Sequence, residues 1–221
     1  MSTLQDRVEA LRARITRACE AAGRDPGAVE LLPVSKKQPL PLIDEAAALG
    51  FARFGENYVQ EGAVKAEARP ALSFTLLGPL QRNKAKAALL AFTEIQSVDR
   101  VELAERLGRL AGELDLRRGV WIQVDLWNEA TKVGGCPEAD LPALLDAIRV
   151  APRLELKGLM AIPPPEAADA FARLARLRDG LQQRLGVSLR LSMGMSGDLE
   201  AAIAAGSDQV RVGTAFFGER G

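Results

Sequence analysis

Lys36 is the residue whose type and position point most directly to a chemistry. It follows an apolar segment at 29–35, VELLPVS, whose composition is typical of a buried strand. Burial in apolar surroundings lowers the pKa of an amine, and a neutral amine attacks carbonyl carbons to form a Schiff base. Lys36 is therefore a candidate Schiff-base lysine. Its position also allows a solvated loop lysine, the role that we expect for Lys37, because adjacent strand residues face opposite ways.

The segment at 191–206, LSMGMSGDLEAAIAAG, predicts a strand that turns through small residues into a helix. Small residues such as Ser196 and Gly197 let backbone N–H groups approach a phosphate, and a helix N-terminus adds partial positive charge. An ordinary N-cap at Ser196 explains this segment equally well. Gly213 and Thr214 favour the phosphate site, because they follow the last predicted strand and loops after the last strands of an α/β barrel often bind phosphate.

Two further polar residues lie where they could contact a ligand. Arg211 alternates with valines in a predicted strand, so its guanidinium faces the interior either as a ligand contact or in a structural ion pair. Asn57 follows another strand and either offers a donor and an acceptor to a ligand or serves as a helix N-cap. Other candidates at predicted strand ends are more typical of surface or loop-fixing residues: Glu56, Gln81, Asn83, Glu129 and Lys132.

These candidates come together only if the elements before them bring the strand ends to one place. Short apolar segments alternate with longer amphipathic ones, and this pattern predicts eight strands, at 29–35, 52–55, 73–78, 93–97, 119–126, 154–160, 188–192 and 208–213. Eight β-then-α units predict one α/β domain over 1–221, a (β/α)8 TIM-type barrel, with an open doubly wound sheet as the alternative. An extra N-terminal helix at 3–22 is predicted from apolar residues at helical spacing, namely Leu4, Val8, Leu11, Ile15 and Ala18.

The composition excludes several classes of function. Histidine is absent from the 221 residues, which removes Ser/His and Cys/His nucleophile systems and most zinc sites. Lys plus Arg and Asp plus Glu both number 29 without a long basic run, so nucleic acid is not an expected partner. The two cysteines lack a CxxC spacing, and no segment is as apolar as a signal peptide or a membrane span. We therefore expect a cytoplasmic protein without a metal site or membrane contact.

A set of motifs along nearly the whole chain resembles those of one family: VSKKQP, FGENYVQE, LLGPLQRNKAK, SVDR, IQVD with EATKVGG, GLMAIPPP, and LSMGMSGDLEAAIAAGSDQVRVGTAFFG. On these motifs the chain is identified as a member of the pyridoxal phosphate homeostasis protein family. The resemblance implies a barrel similar to the N-terminal barrel of alanine racemase, with pyridoxal 5'-phosphate (PLP) bound as a Schiff base on Lys36. One motif departs from the family, because Thr75 stands where the family usually has histidine. Lys132 matches a family lysine that could receive or relay the cofactor, or be a surface lysine.

The resemblance also implies roles for the remaining candidates. Asn57 is expected near the cofactor ring, and Arg211 is expected to approach the pyridine nitrogen. Ser196, Gly213 and Thr214 are expected to hold the phosphate. Members of the family are thought to buffer or deliver PLP inside the cell without an established catalytic reaction. The expected partners are PLP itself and apo-enzymes that use it, and the expected state is a monomer.

The alternative function is a PLP-dependent amino-acid racemase or decarboxylase of the alanine racemase type. A two-base racemase needs a second acid–base residue opposite Lys36, and the chain offers no histidine and one tyrosine, Tyr58. It also ends directly after the eighth predicted unit, without length for the additional β domain of the racemases. Arg211 can only donate to the pyridine nitrogen, which leaves the ring a poor electron sink. A Schiff-base aldolase without cofactor explains Lys36 but not the whole motif set. We therefore expect no catalytic residues.

Overall fold

The computed structural model describes residues 2–127, 134–164 and 169–219. Within these ranges parallel strands form a ring that is surrounded by helices. The strands are β1 (Glu30–Pro33), β2 (Arg53–Glu56), β3 (Ser73–Leu76), β4 (Glu94–Val98), β5 (Arg118–Asp125), β6 (Cys136–Pro137), β7 (Leu154–Met160), β8 (Arg190–Ser192) and β9 (Gln209–Val212). The helices are α1 (Leu4–Ala21), α2 (Leu40–Ala48), α3 (Val59–Ala68), α4 (Ala85–Ala91), α5 (Val101–Glu113), α6 (Leu141–Arg149), α7 (Ala170–Leu185), α8 (Leu199–Ala204) and α9 (Thr214–Phe217).

The ring is a closed barrel. Eight strands are parallel neighbours in the order β1-β9-β8-β7-β5-β4-β3-β2. The two ends of this path are joined by a parallel bridge between Val34 and Gly55, where the Ser35 N–H donates to the Gly55 carbonyl at 2.8 Å. The predicted (β/α)8 barrel is therefore confirmed, and the open-sheet alternative is wrong. The two-residue strand β6 pairs with β5 outside this order and is too short for a sequence pattern to predict.

Helix α1 is the predicted N-terminal helix, with each end one residue from its predicted bound. Thr3 begins it with a capping box: its Oγ1 accepts from the Asp6 N–H at 3.1 Å, and its N–H donates to the Asp6 carboxylate at 2.8 Å. The predicted apolar stripe of the helix is buried. This stripe brings α1 into contact with α8 and α9, which flank the last strand. None of the described helices is both long and apolar enough to cross a bilayer.

The amino ends of the strands are closed by charged side chains that pair inside the barrel. Arg53 Nη1 lies 3.2 Å from Glu94 Oε1, and Arg190 Nη2 lies 3.0 Å from Glu30 Oε2. The Trp121 indole N–H donates to the other Glu94 oxygen at 3.0 Å. Because these groups satisfy one another, this end of the barrel is a structural layer.

The carboxyl ends of the strands enclose a small apolar cluster. Leu32, Val34 and Leu77 are buried together inside the barrel, apart from the main core between the sheet and the helices. Gly55 makes room for this cluster, since a Cβ at that position would lie 2.6 Å from Leu77 Cδ1. Ligand-sized space therefore begins above an apolar floor.

Candidate functional site

A cavity of 440 Å³ opens at the carboxyl ends of the strands. All six residues that the sequence predicted as cofactor contacts line it: Lys36, Asn57, Ser196, Arg211, Gly213 and Thr214. The remaining lining residues are mostly apolar: Val34, Leu77, Ile162, Met195 and Gly197. The barrel thus brings together side chains that are up to 178 positions apart, counted from Lys36 to Thr214. A few polar groups converging in an apolar cavity of this size are typical of a small-molecule site.

The backbone on both sides of Lys36 is held by groups from helix α3. The Ser35 carbonyl accepts a hydrogen bond from Lys65 Nζ at 2.6 Å. The Lys37 N–H donates to Glu61 Oε1 at 2.5 Å, and Lys37 has a φ of 59°, a left-handed conformation that residues with a side chain rarely adopt. Because its two neighbours are fixed in this way, Lys36 leaves the end of β1 in a defined direction.

The groups that hold this segment form what we call the Lys65 cluster, consisting of Ser35, Glu56, Glu61 and Lys65. Glu56 Oε1 accepts from Ser35 Oγ at 2.6 Å and from Lys65 Nζ at 2.6 Å, and Lys65 Nζ also lies 2.7 Å from Glu61. Burial raises the pKa of Glu56, and the hydrogen bonds from Lys65 and Ser35 oppose this change. Glu56 is fully buried and does not line the cavity, so its predicted alternative as a loop-fixing residue describes it.

Arg211 faces the cavity from inside the barrel. Its Nη1 donates to Ser192 Oγ at 2.8 Å and its Nη2 donates to the Ala161 carbonyl at 2.8 Å. Ser192 Oγ in turn contacts the side-chain oxygens of Gln96 and Gln209, at 2.8 and 2.9 Å. Burial lowers the pKa of Arg211 to about 10, with the nearby Asp198 carboxylate acting in the opposite direction. The guanidinium therefore stays protonated at neutral pH.

The ion-pair alternative for Arg211 is not found among the described residues, and neutral oxygens hold the guanidinium instead. An arginine has five N–H donors, and two serve these bonds. A buried cation held by neutral partners is suited to a ligand that accepts a hydrogen bond.

The loop between β8 and α8 and the loop after β9 both line the cavity. Helix α8 begins at Leu199 with Asp198 in the N-cap position, so the N-cap alternative for Ser196 is wrong. Asp198 instead accepts a hydrogen bond from the Met195 N–H at 2.5 Å and folds the loop back on itself. Gly194 starts this turn at a φ of 94°, where a Cβ would also lie 2.6 Å from Ala202 Cβ.

Asn57 is placed by a close approach of two chain segments. A Cβ at Gly78 would lie 2.0 Å from the Asn57 carbonyl oxygen, so only glycine fits there. Helix α3 has Tyr58, not Asn57, in its N-cap position, and the N-cap alternative for Asn57 is wrong. Of the other predicted candidates, Gln81 and Asn83 are exposed and do not line the cavity.

Three further positions that the sequence singled out are Thr75, Glu129 and Lys132. Thr75, at the place of the family histidine, is buried, and its hydroxyl has no hydrogen-bond partner within the described residues. Glu129 and Lys132 lie outside the described residues, so their predicted places at the mouth of the barrel stay predictions.

The sequence motifs did not indicate Lys65 or the arginines of α1 that contact the loops around the cavity. Lys65 had a signal, because it continues the buried face of α3 that Val59 and Gly62 begin. Arg14 had none: its guanidinium bonds the Ser196 carbonyl, and every residue carries a carbonyl.

The fold and the cavity define a barrel of the alanine racemase N-terminal class. The family model described as "Alanine racemase, N-terminal domain" matches residues 7–221. Among the curated relatives, a protein named Pyridoxal phosphate homeostasis protein from Pseudomonas aeruginosa is 48% identical over 100% of this chain and 97% of its own length. One of the same name from Escherichia coli K12 is 39% identical over 100% of this chain and 98% of its own length. The chain therefore belongs to the pyridoxal phosphate homeostasis protein family.

Solved structures agree with this assignment. PipY from Synechococcus elongatus PCC7942, in a structure with PLP bound, is 38% identical and superimposes with a TM-score of 0.85 over 98% of this chain and 100% of PipY. PipY without PLP gives a TM-score of 0.87. Alanine racemase from Clostridium difficile, at 13% identity, gives a TM-score of 0.74 over 95% of this chain and 56% of the racemase. That last likeness concerns the fold alone.

Proposed function

We propose that this protein binds PLP as a Schiff base on Lys36 and acts in intracellular PLP homeostasis by buffering and delivering the cofactor. The observation that carries the proposal is the convergence of Lys36, Arg211 and the Ser196 and Thr214 loops on one cavity. The names of the relatives and the PLP-bound structure of PipY support it.

The residues that line the cavity match the chemical groups of PLP. Lys36 supplies the amine for the aldehyde, and the apolar side chains Val34 and Leu77 flank the ring. Ser196 and Thr214 supply hydroxyls for the phosphate, and Gly197 and Gly213 supply backbone N–H groups beside them.

The opposite end of the ring is matched as well. Arg211 donates toward the pyridine nitrogen, and Asn57 lies beside the ring. When bound, PLP supplies an electrophilic aldehyde and an electron-accepting ring. The protein's part is to hold the cofactor so that an incoming amine can displace Lys36.

The cavity favours a carrier over an amino-acid racemase. A racemase of the two-base type needs an acid–base group facing Lys36 across the substrate. Apart from Lys36 and Arg211, the described lining residues are apolar, amide, hydroxyl or glycine residues. Tyr58 is half exposed and is not among them. Arg211, as a donor to the pyridine nitrogen, keeps that nitrogen unprotonated and weakens the stabilisation of a carbanion.

We propose further that one domain over 1–221 suffices for this function, that it works as a monomer in the cytoplasm, and that apo-enzymes which use PLP are its partners. Equal numbers of acidic and basic residues give no reason to expect nucleic acid.

A transfer assay tests the carrier function. The protein is loaded with PLP, freed of unbound cofactor and mixed with an apo-enzyme whose activity requires PLP. We expect activity to appear at the rate at which the visible absorbance of the loaded protein decays. The same preparation is incubated with single L-amino acids, and loss of optical rotation or release of CO2 is followed. Steady turnover of any amino acid would contradict the proposal, as would failure of the wild type to take up PLP.

Gly213 allows a test of the phosphate site that spares the fold. Its backbone angles, φ −104° and ψ −83°, lie just beyond the helical region that residues with a side chain adopt, and a Cβ there would come no closer than 3.5 Å to protein atoms. We therefore expect Gly213→Ala to lower the free energy of unfolding by no more than about 2 kcal/mol, the backbone strain of the added Cβ. The added methyl group occupies cavity space, so affinity for PLP should fall at least about tenfold. Spectral titration measures the PLP affinity, and urea unfolding measures the free energy of unfolding. Equal PLP affinity in the variant and the wild type would contradict the placement of Gly213 in the PLP site.

A further inference from the structure

Arg14 on helix α1 bonds the back of the Ser196 loop. Its Nη1 and Nη2 each donate to the Ser196 carbonyl oxygen at 3.1 Å. The same guanidinium is fixed by Glu200 on α8, with Nε 2.7 Å from Oε1 and Nη2 2.8 Å from Oε2. This pair raises the pKa of Arg14 and lowers that of Glu200, chiefly through the hydrogen bonds between them. Arg14 is thus a fixed cation that contacts the cavity loop from outside.

The bond to the Ser196 carbonyl determines the direction of the next N–H group. The peptide bond between Ser196 and Gly197 is trans, so its carbonyl and its N–H point in opposite directions. Arg14 holds the carbonyl outward, and Gly197 borders the cavity on the other side. Within the described part of the chain, the Gly197 N–H has no hydrogen-bond acceptor. It is therefore available to an anion in the cavity, and the guanidinium polarises it further.

Helix α1 holds the other loop of the cavity in the same manner. Arg7 Nε donates to the Phe216 carbonyl at 3.0 Å, and Arg7 Nη2 donates to the Phe217 carbonyl at 3.1 Å. These carbonyls belong to α9, which begins at Thr214. Two arginines of one helix thus bond the backbones of the two segments that provide Ser196 and Thr214.

We infer that Arg14 is a positioning residue for the phosphate of the ligand, and that α1 sets the preference of this protein for a phosphorylated aldehyde over the unphosphorylated one. The inference rests on the proposed binding of PLP in this cavity. Arg14 acts through the Ser196–Gly197 peptide and not through Lys36. Its loss should therefore weaken binding of the phosphate and leave the reaction of the aldehyde with Lys36 unchanged.

The test compares PLP with pyridoxal, which carries the same aldehyde and ring but no phosphate. Dissociation constants for both are measured by spectral titration of the full chain, as wild type and as Arg14→Gln. We expect the Kd for PLP to rise about tenfold in the variant, because no charged donor then fixes and polarises the Ser196–Gly197 peptide. The Kd for pyridoxal should stay within about twofold of wild type, because pyridoxal makes no phosphate contact.

Arg17→Gln is the matched control. Arg17 lies one turn further along α1, is exposed, and is close enough to Glu200 to lower its pKa, but it does not bond the Ser196 carbonyl. Arg17→Gln removes the same charge from the same helix as Arg14→Gln does. The PLP affinity of this control should match that of the wild type. Arg14→Lys keeps the charge but offers three N–H donors in place of five, so its PLP affinity should fall between those of wild type and Arg14→Gln. It also provides the comparison if Arg14→Gln does not fold.

Equal losses for PLP and pyridoxal in the Arg14 variants would overturn the inference, because they would indicate general damage to the barrel. An unchanged PLP affinity, or an equal loss in Arg17→Gln, would overturn it as well. Failure of the proposed function has a different signature, since the wild type would then show no absorbance change with PLP.

Discussion

Borohydride reduction of the protein with one equivalent of PLP is expected to attach the cofactor to Lys36 and to no other lysine. Lys36 lines the cavity that also contains Arg211 and the Ser196 loop, and its neighbours Ser35 and Lys37 are held by α3. A lysine with a fixed backbone beside an apolar floor needs little reorganisation to attack the aldehyde. Peptide mapping by mass spectrometry identifies the modified residue. A label that maps to a different lysine in the wild type would contradict the assignment.

Substitution measures how much the covalent bond contributes. We expect Lys36→Met to weaken PLP binding by about a hundredfold, because the phosphate and ring contacts remain while the Schiff base is lost. Lys37→Met is the matched control, since the Lys37 side chain is not part of the cavity and its backbone N–H, which bonds Glu61, is retained. Its affinity should stay within about threefold of the wild type. A similar loss in both variants would show that local charge, and not the amine of Lys36, determines affinity.

The sequence predicts that the six candidate residues lie together, and they line one cavity, because the fold class alone determines where they meet. A parallel barrel places the carboxyl end of every strand on one face, so Lys36, Arg211 and Thr214 converge once each is placed at a strand end. The histidine-free composition leaves few other groups for chemistry. The sequence misplaces the two helix N-caps by one and two residues, because Tyr58 and Asp198 occupy those positions in place of Asn57 and Ser196.

The residues that support the site are harder to predict. Lys65 lies on the buried face of α3, which the spacing of buried residues in the sequence indicates. Its partner Glu56 is the last residue of β2, and its side chain faces outward from the barrel toward α3. Whether a strand residue faces in or out depends on register, which one strand of four residues does not define. Arg14 bonds a carbonyl that has no side-chain signature. Interactions with the backbone therefore need the structure.

Replacing Lys65 is expected to cause the largest loss of stability. Lys65 and Glu56 are both buried, and Lys65→Met leaves the Glu56 carboxylate without its cation. Removing one partner of a buried ion pair costs about 3–5 kcal/mol, so we expect the free energy of unfolding at pH 7 to fall by this amount. Lys86→Met, the same substitution on the exposed face of α4, should change it by less than about 0.5 kcal/mol. Urea unfolding followed by circular dichroism provides both values.

The pH dependence identifies Glu56 as the cause of this loss. Burial already raises the pKa of Glu56 from 4.5 in the folded protein, and removing the ammonium group raises this pKa further. Between 4.5 and the raised value the folded state binds more protons than the unfolded state, so stability increases as the pH falls through that range. The deficit of Lys65→Met should therefore shrink between pH 7 and about pH 5. Adding Glu56→Gln should restore most of the stability at pH 7 and remove this pH dependence, whereas a deficit that is equal at both pH values would exclude the buried carboxylate as its origin.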